Sequence, residues 1–289
     1  MDKKNIFLFT AVLSALVAAF FLAYSFVKPG PSDSGNSINK YQKTNYESPD
    51  GVSTAMLDLD GLGTVAEYEA PDEEKVSRTA SAMADKIAAL DPLEIDYDAL
   101  LETNEDFVGV ITIPSLQFQY PLVISQDDKE YLSIAFDRTA SSAGSLYLEK
   151  SMAVDMTLPN TFIFGHNMKN GTMFGSLKKF EKDGSLCAAN PTIYIYRKVG
   201  GVIKVYEYKI FAYYTAGVND PLYRTITDGE YEAYVKEILD KSIYNAYSGD
   251  IDFSNHPKLL TLSTCYGVGH VNNFVVQAAL VDITEKKAD

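Results

Sequence analysis

Residues 258–283, KLLTLSTCYGVGHVNNFVVQAALVDI, contain two β-type runs, KLLTLSTC and NFVVQAALVDI, with a glycine-containing stretch between them. Apolar and β-branched runs of this length, bounded by turn residues, are typical of strands. The first run ends at Cys265, one of the two cysteines in the chain. The sequence therefore predicts a pair of strands and places a thiol where one of them opens into a loop.

Six similar runs precede this pair, from residue 107 onward: FVGVITI, FQYPLVI, GSLYLE, NTFIFGH, TIYIYRK and VIKVYEYKIFAYYTA. Eight strands with turn residues between them predict a mainly-β fold, either a closed barrel or a sandwich. Two helical segments interrupt the strands, GTMFGSLKKF and TDGEYEAYVKEILDKSIYNA. The apolar residues of the second segment predict its buried side, which consists of Tyr231, Tyr234, Ile238 and Leu239.

The N-terminal residues 6–27 form an uncharged, apolar stretch. About 20 such residues cross the hydrocarbon core of a bilayer as a helix. Lysines are more numerous before this stretch than directly after it, which predicts a cytoplasmic N-terminus and an extracellular remainder. A cleaved signal peptide is the alternative, because small residues near its end suit a peptidase, but its core is usually only about 7–15 residues long. We favour an uncleaved, single-pass anchor in the cell membrane.

The sequence divides the chain into three parts. Residues 1–28 form the cytoplasmic N-terminus and the anchor, and residues 29–71 form an extracellular stalk that begins rich in Pro, Gly, Ser and Asn. Residues 72–289 form the folded domain. This domain begins with an apolar stripe of helical period up to residue 90, and a second short helix is predicted over 96–103.

The composition excludes several classes of partner and cofactor. A net charge of −14 argues against a nucleic-acid partner, because phosphate binding calls for clustered Lys and Arg. The chain has no glycine-rich phosphate loop of the Walker or dinucleotide type, which argues against a nucleotide cofactor. Two cysteines do not make a disulfide scaffold, although a single bridge between Cys187 and Cys265 stays open. Cys187 is otherwise interpreted as a partly buried residue without a role, in a connection between helix and strand.

A catalytic thiol needs a nearby base or cation, since its unperturbed pKa is about 8.5. The chain has three histidines. His166 is the best candidate because it ends NTFIFGH, and two strand ends on one rim of a barrel can bring distant side chains together. His256 lies in a polar turn and His270 follows Cys265 by five residues. The alternatives are that Cys265 and His166 are ordinary core residues, or that cysteine and histidines bind zinc, for which the usual ligand spacing is absent.

Several stretches, taken together, resemble the sortases of class B. They are DFVGVITIPSLQFQYPLVISQDDKEYLSIAFD, FIFGHNMKNGTMFGSLKKF, NPTIYIY, and LLTLSTC followed by NFVV, in the order of the family. The resemblance covers about residues 72–283, and the helical segment before the cysteine strand resembles the insertion of class B. It implies an eight-stranded sortase-type β-barrel with N-terminal helices, in which residues 218–245 line a peptide groove.

The resemblance also implies a function. Cys265 matches the nucleophile of the family and His166 its histidine. The thiolate of such an enzyme attacks the carbonyl of a Thr in the C-terminal sorting signal of a secreted protein and forms a thioester. An amine of a peptidoglycan precursor, or a pilin lysine, then resolves the thioester in the cell wall of a Gram-positive bacterium. No metal and no organic cofactor is implied.

The chain departs from the family at one position. Sortases carry an arginine shortly after the cysteine, whereas this chain has Asn273 there. Three explanations stay open: the amide takes over as a donor, the residue was altered in the laboratory, or the fold persists as a binding domain with impaired catalysis. A cysteine hydrolase that uses water as acceptor is a further alternative. Thr261, Ser263 and Thr264 are candidate substrate contacts, and the two-residue period of a strand assigns the first two to the face of Cys265.

Overall fold

The computed structural model describes residues 94–126, 130–152, 156–244, 246–266 and 271–287, with the backbone alone at 130, 265 and 266. Within these ranges eight strands close a barrel in the order β1-β2-β3-β4-β7-β8-β6-β5. The strands are β1 Phe107–Ile113, β2 Phe118–Ile124, β3 Leu146–Leu148, β4 Asn160–Phe164, β5 Thr192–Val199, β6 Val202–Gly217, β7 Leu259–Tyr266 and β8 Asn272–Lys287. The prediction of a mainly-β, eight-stranded fold is confirmed. Of the two predicted forms, barrel and sandwich, the structure is a barrel.

The alternation of side chains along the strands creates two kinds of core. Leu260 and Leu262 of β7 point into the barrel, where they join apolar residues from the other strands. Leu259 lies on the outer face, in a cluster with Val275 of β8 and the helix that covers them. A third cluster lies outside β1, β5 and β6. The barrel therefore has a packed interior and two covered outer faces.

Four helices lie within the described ranges: α1 Tyr97–Thr103, α2 Lys179–Lys182, α3 Gly184–Ala189 and α4 Tyr231–Lys241. Helix α1 begins after Asp96, whose carboxylate accepts a hydrogen bond from the Ala99 N–H at 3.0 Å, as expected for an N-cap. This helix confirms the prediction for 96–103. A 3₁₀ turn, Phe174–Lys178, leads directly into α2, so the predicted helical segment after β4 is confirmed as well.

Helix α4 packs on the outer face of β6, β7 and β8. Tyr231, Tyr234 and Ile238 are buried, as predicted, but Leu239 is only half-buried and Val235 takes its place in the buried stripe. The difference follows from the 3.6-residue period, because residues at spacings of three and four share the centre of one face and Leu239 falls at its margin.

The predicted anchor, the stalk and the amphipathic helix before residue 90 lie outside the described residues. Among the helices that are described, none has the length and apolar character needed to cross a bilayer.

Two parallel strand pairs interrupt an otherwise antiparallel barrel. One joins β2 to β3, and the other joins β4 to β7. Each residue of β4 pairs with the residue 99 positions later in β7, from Asn160 with Leu259 to Phe164 with Ser263. This second pair brings two distant parts of the chain side by side and positions the candidate site.

Candidate active site

Three adjacent strands bring the predicted site positions to one end of the barrel. β4 ends at Phe164, which pairs with Ser263 of β7. One residue further the Gly165 N–H donates to the Ser263 carbonyl at 3.3 Å, so the chain still follows β7 directly before His166, and neighbouring strands lie about 4.8 Å apart. On the other side of β7, Cys265 pairs with Asn273 of β8. The end of β4 that leads to His166, the end of β7 that carries Cys265 and the start of β8 that carries Asn273 are therefore neighbours at one end of the barrel.

His166 is held by a backbone group from the segment after β2. Its Nε2 lies 2.8 Å from the carbonyl oxygen of Leu132, and the ring is half-buried. Because a carbonyl oxygen can only accept, Nε2 carries the hydrogen of this bond. In the neutral imidazole the basic nitrogen is then Nδ1.

A glycine allows the histidine and its acceptor to lie this close. A Cβ atom at Gly144 would lie 2.5 Å from the Tyr131 carbonyl oxygen, 2.9 Å from that of Leu132 and 3.1 Å from His166 Cδ2. Gly144 also has a φ of +58°, in the left-handed region that favours glycine. Both observations require a residue without a side chain at this position.

The three candidate hydroxyl residues on β7 have different surroundings. Thr261 is buried, and its hydroxyl donates to Gln277 Oε1 at 2.9 Å, which favours a structural role over contact with a peptide. Ser263 Oγ lies 2.7 Å from the hydroxyl of Tyr223. Thr264 lies on the opposite face, and its buried Oγ1 has no hydrogen-bond partner within the described part of the chain.

Tyr223 is the side chain near the site that sequence reasoning missed. It is half-buried on the segment 218–227, which the family resemblance alone assigns to the groove. The hydroxyl of Tyr234 on α4 donates to the Leu222 carbonyl at 2.7 Å, and Asn160 Nδ2 of β4 donates to the Arg224 carbonyl at 2.8 Å. No sequence pattern reveals these contacts, because they join a tyrosine and an asparagine to backbone carbonyls.

The same segment is tied to α4 by an ion pair. Lys241 Nζ lies 2.7 Å from Asp220 Oδ2, and the Asp220 side chain is only 12% exposed. Asp220 Oδ1 also accepts the Leu222 N–H at 3.0 Å. Strand β4 and helix α4 together therefore fix the position of Tyr223 beside β7.

The Asn273 side chain is half-exposed near the start of β8. The arginines of the described ranges do not replace the missing family arginine, because each bonds elsewhere. Arg138 binds Asp106, Arg197 donates to the Val108 carbonyl, and Arg224 donates to the Pro221 carbonyl.

Cys187 and His256 lie away from this end of the barrel. Cys187 is a free thiol, so it forms no bridge with Cys265, and it is fully buried in α3 rather than partly buried in a connection. Burial raises the pKa of the Cys187 thiol to about 12. His256 Nδ1 lies 2.6 Å from Asp228 Oδ1 before β7 begins, at the far end of that strand from Cys265. His270 lies outside the described residues, among which no group of side chains is arranged to hold a metal ion.

Comparisons with known proteins identify the family of the chain. The model of the sortase domain family matches residues 111–281. Sortase B of Listeria monocytogenes is 31% identical over 170 residues, which cover 57% of this chain and 65% of that protein, just under two thirds of its length. Clostridium perfringens sortase B aligns at 28% identity with a TM-score of 0.57, over 64% of this chain and 100% of that structure.

A sortase B structure from Bacillus anthracis, solved in complex with AAEK1, aligns at 29% identity with a TM-score of 0.55, over 65% of this chain and 85% of that structure. The matched region contains β4, β7 and the part of β8 that includes Asn273. The chain therefore belongs to the sortase family, and its relatives place it in class B.

Proposed function

We propose that this chain is a membrane-anchored cysteine transpeptidase that cleaves the C-terminal sorting signal of secreted proteins after Thr. The acyl group then passes to an amine of a peptidoglycan precursor or to a pilin lysine. The observation that supports the proposal is the pairing of three neighbouring strands: β4 ends beside β7 two residues before His166, and Cys265 of β7 pairs with Asn273 of β8. Membership of the sortase family supports the same reaction class.

The proposed reaction has two steps. The Cys265 thiolate attacks the Thr carbonyl, and the amine of the downstream residue leaves with a proton from the His166 imidazolium, so that a thioester forms. The acceptor amine then attacks the thioester, its proton passes to the imidazole, and the thiolate is released. One amide exchange is thereby divided into two easier steps. Because Nε2 is bonded to the Leu132 carbonyl, we assign Nδ1 as the ring nitrogen that gives up a proton in the first step and accepts one in the second.

We assign the wall of the peptide groove to Tyr223 and Ser263, together with the segment that α4 supports. Tyr223 combines an aromatic face with a hydroxyl next to β7, and such residues bind a peptide through both parts. Asn273 is assigned to the oxyanion, since its amide is a hydrogen-bond donor at the position of the family arginine.

The location follows from the N-terminal sequence. Residues 6–27 are assigned to a single membrane span with a cytoplasmic N-terminus, and residues 29–71 to a stalk. Fusions of a reporter to either terminus, tested with a protease that acts only outside the cell, check this orientation. Protection of the C-terminal reporter would contradict it.

Mass spectrometry of the chain with a set of sorting-type peptides tests the chemistry. We expect an acyl adduct on Cys265, with loss of turnover in Cys265→Ala and in His166→Ala. Cys187→Ala is the matched control, because it removes the other thiol and leaves the site intact. An adduct that persists without Cys265, or turnover that persists without His166, removes that residue from the mechanism.

Two other functions are alternatives because Asn273 is uncharged: a cysteine hydrolase and a binding domain with impaired catalysis. Addition of a peptide amine distinguishes the first, because a transpeptidase forms the ligated product in preference to the acid. A binding domain retains affinity for the sorting peptide and forms no adduct.

A further inference from the structure

The acceptor of the His166 bond belongs to a single 3₁₀ turn, Glu130–Leu132. Such a short turn has poor hydrogen-bond geometry of its own and cannot fix the direction of its last carbonyl. Contacts from other parts of the chain must therefore hold the Leu132 carbonyl against the imidazole.

The adjacent residue, Tyr131, supplies such contacts. Its side chain is fully buried, and its hydroxyl lies 2.8 Å from Asp106 Oδ2 and 3.0 Å from Asn104 Oδ1. Burial, followed by the bond to Asp106, raises the Tyr131 pKa well above its usual value, so the hydroxyl stays protonated as a donor. The Arg138 guanidinium lies 2.9 Å from the same Asp106 oxygen and packs over the Tyr131 ring.

Two further bonds hold the segment around Leu132. Asn104, the C-cap of α1, donates from Nδ2 to the Phe136 carbonyl at 2.9 Å. The same asparagine therefore binds Tyr131 within the turn and Phe136 after it. The Ser145 N–H donates to the Tyr131 carbonyl at 2.8 Å. Gly144 lies against the Tyr131 and Leu132 carbonyls, which leaves them little room to rotate.

We propose that Tyr131, fixed by Asp106 and Asn104, is a positioning residue for His166. It holds the Leu132 carbonyl where this group accepts the Nε2 hydrogen, and it thereby sets the tautomer whose basic nitrogen is Nδ1. The inference rests on the proposed role of His166 in proton transfer. Tyr131 touches neither the peptide nor the thiol in this scheme.

A buried tyrosine hydroxyl also stabilises a fold in general, and loss of activity alone does not separate the two roles. The tautomer of His166 separates them, because a uniform loss of stability leaves the tautomer of a folded molecule unchanged. The Cδ2 resonance of a ring-¹³C-labelled histidine reports whether Nε2 or Nδ1 carries the hydrogen. The chain has only three histidines, so His166→Gln assigns the resonance.

The experiment compares the full chain in detergent micelles with Tyr131→Phe and Tyr231→Phe, at a pH near 8.5 where a histidine of ordinary pKa is neutral. Tyr231 is the matched control, since it is equally buried and its hydroxyl donates to the Pro257 carbonyl away from the site. We expect Tyr131→Phe to move the His166 Cδ2 resonance toward the Nδ1–H form and to lower the transpeptidation rate about tenfold. Tyr231→Phe leaves the His166 resonance unchanged.

A His166 resonance that stays at its original position in folded Tyr131→Phe overturns the proposal. If Tyr131→Phe does not fold, Arg138→Gln is measured in its place. This change removes the ion pair that holds Asp106, and the Arg138 side chain is 37% exposed, so its replacement leaves the core intact. The same displacement then supports the proposal, and its absence overturns it. The resonance is measured without substrate. If Tyr131→Phe displaces it but the unchanged chain forms no product, the proposed function is wrong and the positioning role of Tyr131 still holds.

Discussion

Asn273 lies at the position where the family resemblance predicts an arginine. It pairs with Cys265 across β7 and β8, and its side chain is half-exposed. An asparagine amide donates hydrogen bonds but carries no charge and has a shorter reach than a guanidinium. Charge-assisted bonds are roughly twice as strong as neutral ones, so a developing oxyanion gains less from this residue.

Asn273→Arg is expected to raise kcat/KM for transpeptidation by about tenfold or more, because loss of one oxyanion donor typically costs about 10²–10³ in rate. Steady-state kinetics with a sorting peptide and an amine acceptor measure the change. Asn272→Arg is the matched control, one residue away and half-exposed as well. An unchanged or lower rate in Asn273→Arg shows that the donor lies elsewhere.

At this scale, side-chain chemistry allowed candidate site residues to be predicted, and their roles stay predictions. Cys265 and His166 stand out because few residue types perform nucleophilic and acid-base chemistry and both follow strand-like runs. The Leu132 carbonyl could not be predicted, because every residue has a carbonyl and its direction depends on tertiary contacts. The contact of Tyr223 with Ser263 was hidden in the same way, since neither residue belongs to a recognisable pattern.

At the scale of elements, the end of β4 packs directly against the 3₁₀ turn before α2. A Cβ atom at Gly165 would lie 2.3 Å from Leu146 Cδ2 and 2.9 Å from Phe174 Cδ2. Both neighbours are buried in the barrel core and have no space to move into. The residue before His166 is therefore a glycine for reasons of packing, and its φ does not require one.

Gly165→Ala is expected to destabilise the fold by about 1–3 kcal/mol, the usual cost of overpacking a core, and to displace His166. Urea unfolding measures the stability, and turnover measures the displacement. Gly217→Ala is the control, because no atom lies within 4 Å of the added Cβ at the end of β6. Equal stability of the two variants would contradict this account of the packing.

The ion pair between Lys241 and Asp220 links α4 to the segment that carries Tyr223. Lys241→Ala is expected to speed hydrogen exchange at the amides of Leu222 and Tyr223 by about fivefold, as a partly buried pair contributes about 1 kcal/mol to local stability. Lys236→Ala removes an exposed pair on the same helix and serves as the control. Similar exchange in both variants would show that the ion pair does not hold the segment.

The strands were predictable because each is a short apolar run between turn residues, and all eight runs became strands. The order of the strands was not predictable. The parallel pairing of β4 with β7 depends on how the chain crosses the barrel. The apolar pattern of a strand indicates which of its faces is buried, but it does not determine which strands lie beside it. The shift from Leu239 to Val235 in α4 is a different case, because the 3.6-residue period alone assigns Leu239 to the margin of the buried stripe.

At the scale of the whole molecule, tyrosine forms much of the barrel and of its cover. The chain has 20 tyrosines, and Tyr208, Tyr214 and Tyr234 are among the largest fully buried side chains. Burial raises the pKa of Tyr234 to about 12 and raises the pKa of Tyr208 and of Tyr214 further. In the unfolded chain the same hydroxyls ionise near a pH of about 10.

Stability is therefore expected to fall steeply in alkaline solution. The folded state holds these protons more tightly than the unfolded state, so the contribution is fully present below about pH 10 and is lost as the pH rises. Each such group contributes about 1.4 kcal/mol per pH unit to the slope above that point. Urea unfolding between pH 8 and 11 measures the slope, and Tyr208→Phe is expected to reduce it by about 1.4 kcal/mol per pH unit. Ionisation of the buried hydroxyls near pH 10 with the fold intact would contradict this account.

The direct pairing of β4 with β7 separates the reactive centre from most of the chain that connects its two halves. The connection between these strands contains β5 and β6, which complete the barrel, and residues 218–258, which lie outside the strands. We expect this second part, α4 included, to tolerate exchange with the corresponding segment of another family member. Such a graft is expected to change which peptides the chain accepts while the pairing of β4 with β7 is kept.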